Sequence, residues 1–426
     1  MKRRQFLTNV GATAVAATLF NNSFAKRLAG GTTLGRVVVV GGGMAGASVA
    51  KFLKLWGKGT VSVTLVEPNA SYISNIFSNM VLTGERTLKQ LTFNYSTLAT
   101  KYNVKIKNLS VTVIDPVGKK VRLSDGTSLP YDFLVLAPGI DFESLPITGS
   151  LINQAKIVHA WKAGTQTTTL ANEIQSMKKS DSFILTIPPK PYRCPPGPYE
   201  RACVVADYLK RVKGGGKVII LDANPGIQAE PVNFGNAFNG IYKNIITYVP
   251  NALLNNINAN KMTVDTSAGI FSGQVINAIP VHKAGNLITQ SGLGLANSLD
   301  GRWAVVDVLS YQSTAISNIY VVGDSSSSTQ PKAGHIANAE AKVCADAIIK
   351  SLNGVAINAS PITNSACFTP ITNTTASWLS VVYRYDPVTK TMIPTGNGVT
   401  ESNGATAGNY DDMLKWFDTL MADTFA

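Results

Sequence analysis

The chain has 426 residues, enough for two or three domains with sizeable cores. With 45% hydrophobic and 15% charged residues, its composition is that of a globular protein and excludes a largely disordered chain. The net charge of +13 is spread thinly, since no Lys/Arg run beyond the N-terminal segment exceeds two residues, so nucleic-acid binding is not indicated. Four cysteines are too few for a disulfide framework.

Residues 1–25 have the features of an export signal. Paired arginines, Arg3 and Arg4, precede a mild apolar run over residues 10–20, and Ser23-Phe24-Ala25 supplies small residues for cleavage. The apolar run is about half as long as the ~20 residues that a membrane span needs. We therefore predict a twin-arginine signal, a periplasmic protein, and a mature chain with no membrane span.

A strand, a glycine loop and a helix then follow in the order of a dinucleotide-binding unit. Residues 37–40 are β-branched, as in a buried parallel strand, and the glycines after them have the Gly-x-Gly-x-x-Gly spacing. Free N–H groups at the start of the helix can bind a pyrophosphate. Glu67 ends the second strand, where its carboxylate can accept hydrogen bonds from an adenosine ribose. The predicted binding loop comprises Gly41, Gly42, Gly43, Met44, Ala45 and Gly46.

Three later segments repeat this design. Residues 104–123 predict antiparallel strands, and an apolar strand after them is closed by Ala137, Pro138 and Gly139, where backbone can lie close to a bulky cofactor. Residues 318–322 predict another strand, followed by Gly323 and by Asp324, whose carboxylate can bind a ribityl hydroxyl. Gly334 precedes a helix predicted over 336–352, whose N-terminal dipole favours the negative charge of a reduced flavin. In this order the segments indicate FAD.

A second α/β segment lies between them. It has a strand over 182–187, a helix over 200–212 and a strand over 218–222, which is again the outline of a dinucleotide domain. The loop after its first strand, residues 188–198, is rich in proline, which has no N–H to offer a phosphate. We expect the scaffold of an NAD site without its chemistry.

Two of the four cysteines lie in predicted loops. Cys194 is in the proline-rich loop and Cys367 begins a C-terminal segment, whereas Cys203 and Cys344 lie on predicted helices as buried, inert thiols. From the residues alone, a disulfide joining Cys194 to Cys367 is either a staple or a redox centre. Without Cys-x-x-Cys pairs, and with dispersed histidines, the sequence predicts neither a metal site nor haem; the histidines are His159, His282 and His335.

Residues 191–202, with residues 159–164 before them and 364–367 after them, resemble the flavoprotein subunit of flavocytochrome c sulfide dehydrogenase. The likeness covers nearly the whole chain. It implies an α/β protein with two Rossmann-like dinucleotide-binding domains of glutathione-reductase type and a small α+β C-terminal domain. It also implies FAD, a redox-active disulfide beside the flavin, sulfide as substrate, and a c-type cytochrome subunit as electron acceptor in a heterodimer.

The resemblance also assigns residues. Cys194 and Cys367 match the disulfide pair, and Glu200 matches an acid near the flavin. Family members commonly attach FAD through a cysteine in the loop over 72–78, where this chain has Asn75, so we expect non-covalent FAD. Arg193 and Lys190 flank the cysteine, either to favour anionic sulfide or as exposed side chains.

These assignments divide the chain into a signal over 1–25, a discontinuous FAD domain over 34–150 and 275–355, a second dinucleotide-like domain over 151–274, and a C-terminal interface domain over 356–426. One rival is sulfide:quinone oxidoreductase, which must reach into a membrane. The predicted C-terminal helix over 410–425 has an apolar face and an acidic polar face, so we expect it to dock on protein. The other rival is a flavoprotein whose disulfide is structural.

Overall fold

The computed structural model describes residues 33–426, and the predicted signal over 1–25 lies outside them. The first unit is built on an eight-stranded sheet. Gly35–Val40 pairs in parallel with Val61–Val66 on one side and Phe133–Leu136 on the other. Lys105–Lys107 and Ile319–Val321 extend the sheet in parallel. The remaining strands are short: Ala304–Asp307, Gln312–Ser313 and Ser326–Ser327.

The longest helices of this unit are Met44–Trp56 and Gly334–Leu352, which pack on each other. Small residues, among them Ala45, Ala47 and Ala341, are buried on them and let the two backbones approach closely. The second helix begins two residues before the predicted start at 336. The shorter elements are Ser71–Ile73, Ser78–Leu82, Leu88–Leu91, Thr92–Asn94 and Ser96–Thr100.

The prediction of antiparallel strands over 104–123 is correct only in part. Val111–Asp115, Lys120–Leu123 and Ser128–Pro130 do form an antiparallel sheet. Lys105–Lys107 instead lies parallel to Val61–Val66 at the edge of the main sheet. The chain reaches that edge through the helix Ser96–Thr100, a crossover that alternation alone does not reveal.

The second unit has a four-stranded parallel sheet in the order Ile246–Val249, Lys217–Asp222, Ser182–Ile187 and Val275–Ala278. The last of these strands covers an otherwise open edge, so the unit continues past the predicted boundary at 274. Its helices are Thr165–Ser176, Gly197–Tyr208 and Pro231–Asn239, with a π turn over Leu209–Lys213 and a short helix at Leu151–Gln154. The short helix Asn286–Thr289 lies instead beside the first unit, where the Gly285 N–H donates to the Gly139 carbonyl.

An antiparallel sheet of Leu254–Asn258, Thr263–Thr266 and Gly269–Ser272 lies beside it. Ile147–Thr148 joins this sheet, so the second unit also begins before the predicted boundary at 151. A ribbon of Ile140–Phe142 and His282–Ala284 connects the two units.

The C-terminal unit is α+β, as predicted. Its antiparallel strands are Ile362–Pro370, Ala376–Asp386, Thr391–Pro394 and Thr400–Glu401. The helix Ala407–Phe425, called the C-terminal helix below, packs its apolar face on the first unit. The Phe417 ring stacks on that of Phe77 at 4.4 Å between centroids. Within residues 33–426, no helix is both long and apolar enough to cross a bilayer.

Candidate active site

A cavity of about 940 Å³ lies where the three units meet. The glycine loop, the proline-rich loop and the strand that holds Cys367 all border it. All but one of the predicted site residues line its wall, namely Gly41, Gly42, Gly43, Met44, Ala45, Glu67, Asn75, Ala137, Pro138, Gly139, Cys194, Glu200, Gly323, Asp324, Gly334 and Cys367. Residues far apart in the sequence therefore converge on one cavity.

The exception is Gly46, which lies on the helix behind the loop. A Cβ at this position would lie 1.9 Å from the carbonyl oxygen of Gly41, so only glycine lets helix and loop pack so closely. Gly41 itself has φ +101°, and a Cβ there would meet the carbonyl oxygen of Ala137 at 2.3 Å. The fingerprint glycines thus shape the loop as well as leave room for a ligand.

Glu67 braces the glycine loop from the next strand. Its Oε2 accepts a hydrogen bond from the Gly42 N–H at 2.8 Å, and its Oε1 accepts one from the Asn69 side chain at 2.7 Å. The Tyr95 hydroxyl donates to the Gly42 carbonyl at 3.1 Å. The carboxylate lies at the end of the cavity where an adenosine ribose was predicted.

Asp324 lies deep in the cavity. Its Oδ1 is buried and has no hydrogen-bond partner in the protein. Burial raises the pKa of this carboxyl, against the positive charges of Arg193 and Lys332. A buried acceptor without a donor is costly, so the site fits a ligand that supplies a hydroxyl here.

The loop over 72–78 contains no cysteine, and Asn75 has a structural role. Its Oδ1 accepts a hydrogen bond from the Ala163 N–H at 2.8 Å, which ties the loop to the second unit. Nothing in this loop can form a thioether to a flavin, in agreement with non-covalent binding.

Cys194 and Cys367 reach the same cavity from the second and C-terminal units. Both are half-buried free thiols in this structure, so their predicted pairing stays a prediction. Burial first, and then the Glu200 carboxylate, raise the pKa of Cys194 to about 12. Burial and the neighbouring Cys194 raise the pKa of Cys367 well above its ordinary value. Neither thiol ionises readily, and a negative charge on Cys194 makes ionisation of Cys367 still harder.

The backbone holds Cys194 in an unusual conformation with φ +60°. Its N–H donates to the Lys332 carbonyl at 2.7 Å, and its own carbonyl accepts from the Gly197 N–H at 2.9 Å. The second of these bonds lies at the start of the helix Gly197–Tyr208, which explains why that helix begins three residues before the predicted start.

Glu200 projects from the first turn of this helix and is buried beside Cys194. Its Oε1 accepts a hydrogen bond from Asn79 Nδ2 at 2.8 Å, and Asn79 Oδ1 accepts one from Arg201 Nε at 2.8 Å. Burial raises the pKa of Glu200 to about 8, although the Asn79 hydrogen bond opposes the shift. The carboxyl can therefore gain or lose a proton near neutral pH.

Asn79 and Arg201 are site residues that the sequence analysis did not identify. Arg201 is 1% exposed, and its guanidinium lies 4.5 Å from the centre of the Trp161 ring. A buried arginine needs several acceptors, and here they come from residues 79, 159, 160 and 277, which no sequence pattern links. The only feature of the sequence that pointed to either residue was Arg201 itself, an arginine inside the proline–cysteine motif.

The two basic residues near Cys194 differ in placement. Arg193 lines the cavity, and its backbone N–H donates to His282 Nδ1 at 2.9 Å. Lys190 is exposed and borders a separate cavity of about 290 Å³ behind the loop. Of the two alternatives given for these residues, Lys190 therefore fits plain exposure, whereas Arg193 is placed where it can act on a bound anion. Cys203 and Cys344 are fully buried, as predicted.

Two family descriptions match the chain. Residues 35–182 match the pyridine nucleotide-disulphide oxidoreductases, and residues 167–280 match the central region of the sulfide dehydrogenase (flavocytochrome c) flavoprotein chain. That flavoprotein chain from Chlorobaculum thiosulfatiphilum is 54% identical over 46 residues, which are 11% of this chain and 94% of that sequence. The chain belongs to the flavocytochrome c sulfide dehydrogenase flavoprotein family. FAD is accordingly its cofactor, and the glycine loop and Asp324 fit it.

Other relatives agree with this fold. The mitochondrial sulfide:quinone oxidoreductase of Dictyostelium discoideum is 26% identical over 178 residues, 41% of this chain and 39% of that protein. Another curated relative is matched over only 27% of its length. The structure of the sulfide:quinone oxidoreductase from Aquifex aeolicus superposes with a TM-score of 0.75 at 17% identity, covering 91% of each chain. The pyridine nucleotide-disulphide oxidoreductase fold is thereby confirmed.

Proposed function

We propose that this flavoprotein oxidises sulfide at a redox-active disulfide formed by Cys194 and Cys367, and that its electrons pass through FAD to a c-type cytochrome. One observation carries the proposal: the two cysteines, from different units, line the same cavity as the FAD-binding residues. Membership of the flavocytochrome c family supports both the substrate and the acceptor.

The chemistry begins with hydrosulfide, a soft nucleophile that attacks a disulfide sulfur. The bond between the cysteines breaks, a bond to the substrate sulfur forms, and one cysteine becomes a persulfide while the other becomes a thiolate. A second hydrosulfide removes the outer sulfur as hydrodisulfide. Reoxidation of the two cysteines then releases two electrons, so two hydrosulfides give one hydrodisulfide, one proton and two electrons.

FAD, when bound, accepts an electron pair and passes electrons on singly, as a haem partner requires. The protein residues manage the protons. A thiolate at Cys194 takes up a proton readily because its pKa is raised to about 12. Glu200, whose pKa is raised to about 8, is largely protonated at neutral pH and can supply that proton.

The acceptor is proposed as a c-type cytochrome subunit in a heterodimer, and the location as the periplasm, on the strength of the twin-arginine pattern over 1–25. A quinone would require access from a membrane. The apolar side chains of the C-terminal helix, which could have served such access, are instead buried against this chain itself; they are Met413, Phe417, Leu420, Met421 and Phe425. This packing favours the cytochrome.

Replacing either Cys194 or Cys367 by serine tests the proposal. The FAD site remains intact, so each variant should bind FAD, while anaerobic flavin reduction by sulfide falls by about a hundredfold or more because the electrophilic sulfur bond is lost. Cys203→Ser and Cys344→Ser are matched controls, expected to retain activity. Flavin absorbance after mixing with sulfide gives the rate.

A structural disulfide behaves differently. Its removal lowers the free energy of unfolding by about 2–5 kcal/mol and leaves flavin reduction in the folded protein intact. Normal reduction in both Cys194→Ser and Cys367→Ser would therefore refute the redox role. Turnover with quinones in lipid vesicles, but with no c-type cytochrome, would refute the proposed acceptor.

A further inference from the structure

A second carboxylate is buried on the far side of the cysteine site. Glu230 is 2% exposed and immediately precedes the helix Pro231–Asn239. We propose that Glu230 relays protons between the cavity at Cys194 and Cys367 and the protein surface at Glu401. This inference rests on the proposed function, since sulfide oxidation with a cytochrome as acceptor releases a proton at the cavity.

The inner end of the relay is a hydrogen bond from the cavity wall. Thr369 lines the cavity two residues after Cys367 on the same strand. Its hydroxyl donates to Glu230 Oε1 at 2.7 Å, and the Ser377 hydroxyl donates to Oε2. The two hydroxyl oxygens are 2.9 Å apart. Both carboxylate oxygens are thus bonded to groups that can exchange protons.

The outer end lies at the same helix terminus. Glu401 is partly exposed, and its Oε2 accepts hydrogen bonds from the Asn233 backbone N–H at 3.1 Å and from Asn233 Nδ2 at 2.9 Å. Glu230 and Glu401 therefore lie on either side of the first turn of one helix. The hydrogen-bonded part of the route runs from Thr369 to Glu230, and Glu401 lies beside it at the surface, close enough to raise the pKa of Glu230.

The surroundings of Glu230 are acidic. The ionisable groups that face it are the carboxyls of Glu200 and Glu401 and the thiols of Cys203 and Cys367. Burial, reinforced by Glu401, raises the pKa of Glu230 to about 7, while the hydroxyl hydrogen bonds oppose the shift. The charge of Glu230 in turn raises the pKa of Glu200. When one of these two carboxyls gains a proton and becomes neutral, the pKa of the other falls. The second carboxyl then loses its own proton more easily.

A purely structural role does not require an acid here. A glutamine could bond to the same two hydroxyls without the penalty of burying a charge. A carboxyl that titrates near neutral pH, one hydroxyl away from the cavity, is suited to accept a proton and to release it within one turnover.

The test is Glu230→Gln in the FAD-loaded protein, mixed anaerobically with sulfide and an oxidised c-type cytochrome in weak buffer containing a pH indicator. Because a reduced flavin keeps the proton, wild-type protein should release it only as electrons leave for the cytochrome, in step with cytochrome reduction. In the variant, proton release and turnover with a c-type cytochrome should fall about tenfold or more, a modest share of what positioned proton transfer contributes. The ionisation of sulfide affects wild type and variant equally, so it cancels in the ratio of their turnover rates. This ratio should grow above pH 7, where Glu230 is ionised and can accept a proton, and should approach one below pH 7.

Two further substitutions guard against misfolding. Thr369→Val breaks the inner hydrogen bond without changing charge and should reproduce the slow proton release, whereas Thr369→Ser should restore it. Glu173→Gln is the matched control, because burial also raises the pKa of Glu173 to about 7 but this residue does not line the cavity.

A Glu230→Gln protein with bound FAD, wild-type proton release and a ratio independent of pH would overturn the relay and leave sulfide oxidation standing. If that variant lacks FAD, wild-type release in Thr369→Val has the same meaning. Absence of flavin reduction by sulfide in the wild-type protein overturns the proposed function, and the relay with it.

Discussion

The sheets of the first and second units share a strand–loop–helix arrangement, but the two loops differ in chemistry. In the first, Gly35–Val40 leads into a glycine loop and a helix; in the second, Ser182–Ile187 leads into the proline-rich loop and the helix Gly197–Tyr208. The first loop lines the cavity with glycines, whose missing side chains leave room for a ligand. In the second, the N–H groups of residues 190, 193, 194 and 197 are all bonded within the protein. With its prolines and internal hydrogen bonds, the second loop lacks the features of a phosphate site. It positions the thiol of Cys194 and the carboxyl of Glu200 instead.

The largest effect should come from breaking the first loop. In Gly46→Val, the new Cβ meets the Gly41 carbonyl oxygen at 1.9 Å, and this backbone obstacle cannot rotate away. Overpacking of about 1–3 kcal/mol or more will displace the loop, so the protein should purify without FAD. The visible absorbance spectrum measures the loss.

The matched change in the second unit is Gly235→Ala, on the helix Pro231–Asn239. A Cβ there meets nothing within 4 Å, so FAD content should be unchanged. Retention of FAD by Gly46→Val would contradict the role given to close packing in the glycine loop.

An intermediate effect should come from the acid of the second loop. The pKa of Glu200 is raised from 4.5 to about 8 in the folded protein, so its contribution to stability is full below pH 4.5 and is lost as pH rises through 8. Glu200→Gln should therefore be more stable than wild type by about 2–4 kcal/mol at pH 9, with a much smaller difference at pH 5. Denaturant unfolding of FAD-loaded protein at both pH values measures this.

Glu143→Gln is the control for that comparison, since Glu143 is exposed and pairs with Lys283. It should change stability by less than about 1 kcal/mol at either pH. An equal effect of Glu200→Gln at both pH values would show that burial does not perturb this carboxyl.

The smallest effect is expected from adding a nicotinamide cofactor, which should leave the bound FAD oxidised. Because the second loop is rich in proline and the N–H groups of residues 190, 193, 194 and 197 are bonded within the protein, neither NADH nor NADPH should reduce the bound FAD at a useful rate. Anaerobic mixing followed by flavin absorbance checks this, with sulfide on the same sample as the positive control. Rapid bleaching by NADH would mean that the two sheets are functionally alike.

Local patterns predicted the first unit well. Gly41 and Gly43 could be assigned because a tight turn and a bound phosphate need particular residues in a short stretch, and Asp324 because an acid follows a buried strand. The cysteine pair was reached by resemblance, since residues 194 and 367 meet only through tertiary structure.

Other features were beyond reach of the sequence for the same reason. Asn79 became visible only when Glu200 and Arg201 were placed on either side of its amide. Glu230 had no local signal at all, because its partners lie on strands more than a hundred residues later. The predicted domain boundary at 274 lies too early because Val275–Ala278, the edge strand of the second unit's parallel sheet, follows a separate antiparallel sheet in the chain.

The docking of the C-terminal helix bears on how long the cofactor stays bound. Trp416 lines the cavity, and the ring of Phe425 stacks on those of Tyr72 and Phe93 at 5.2 and 5.6 Å. Local opening of this helix would withdraw Trp416 from the cavity wall and break the aromatic contacts to the loop and strand beside it. Retention of FAD therefore depends on the local stability of this segment as well as on contacts to FAD.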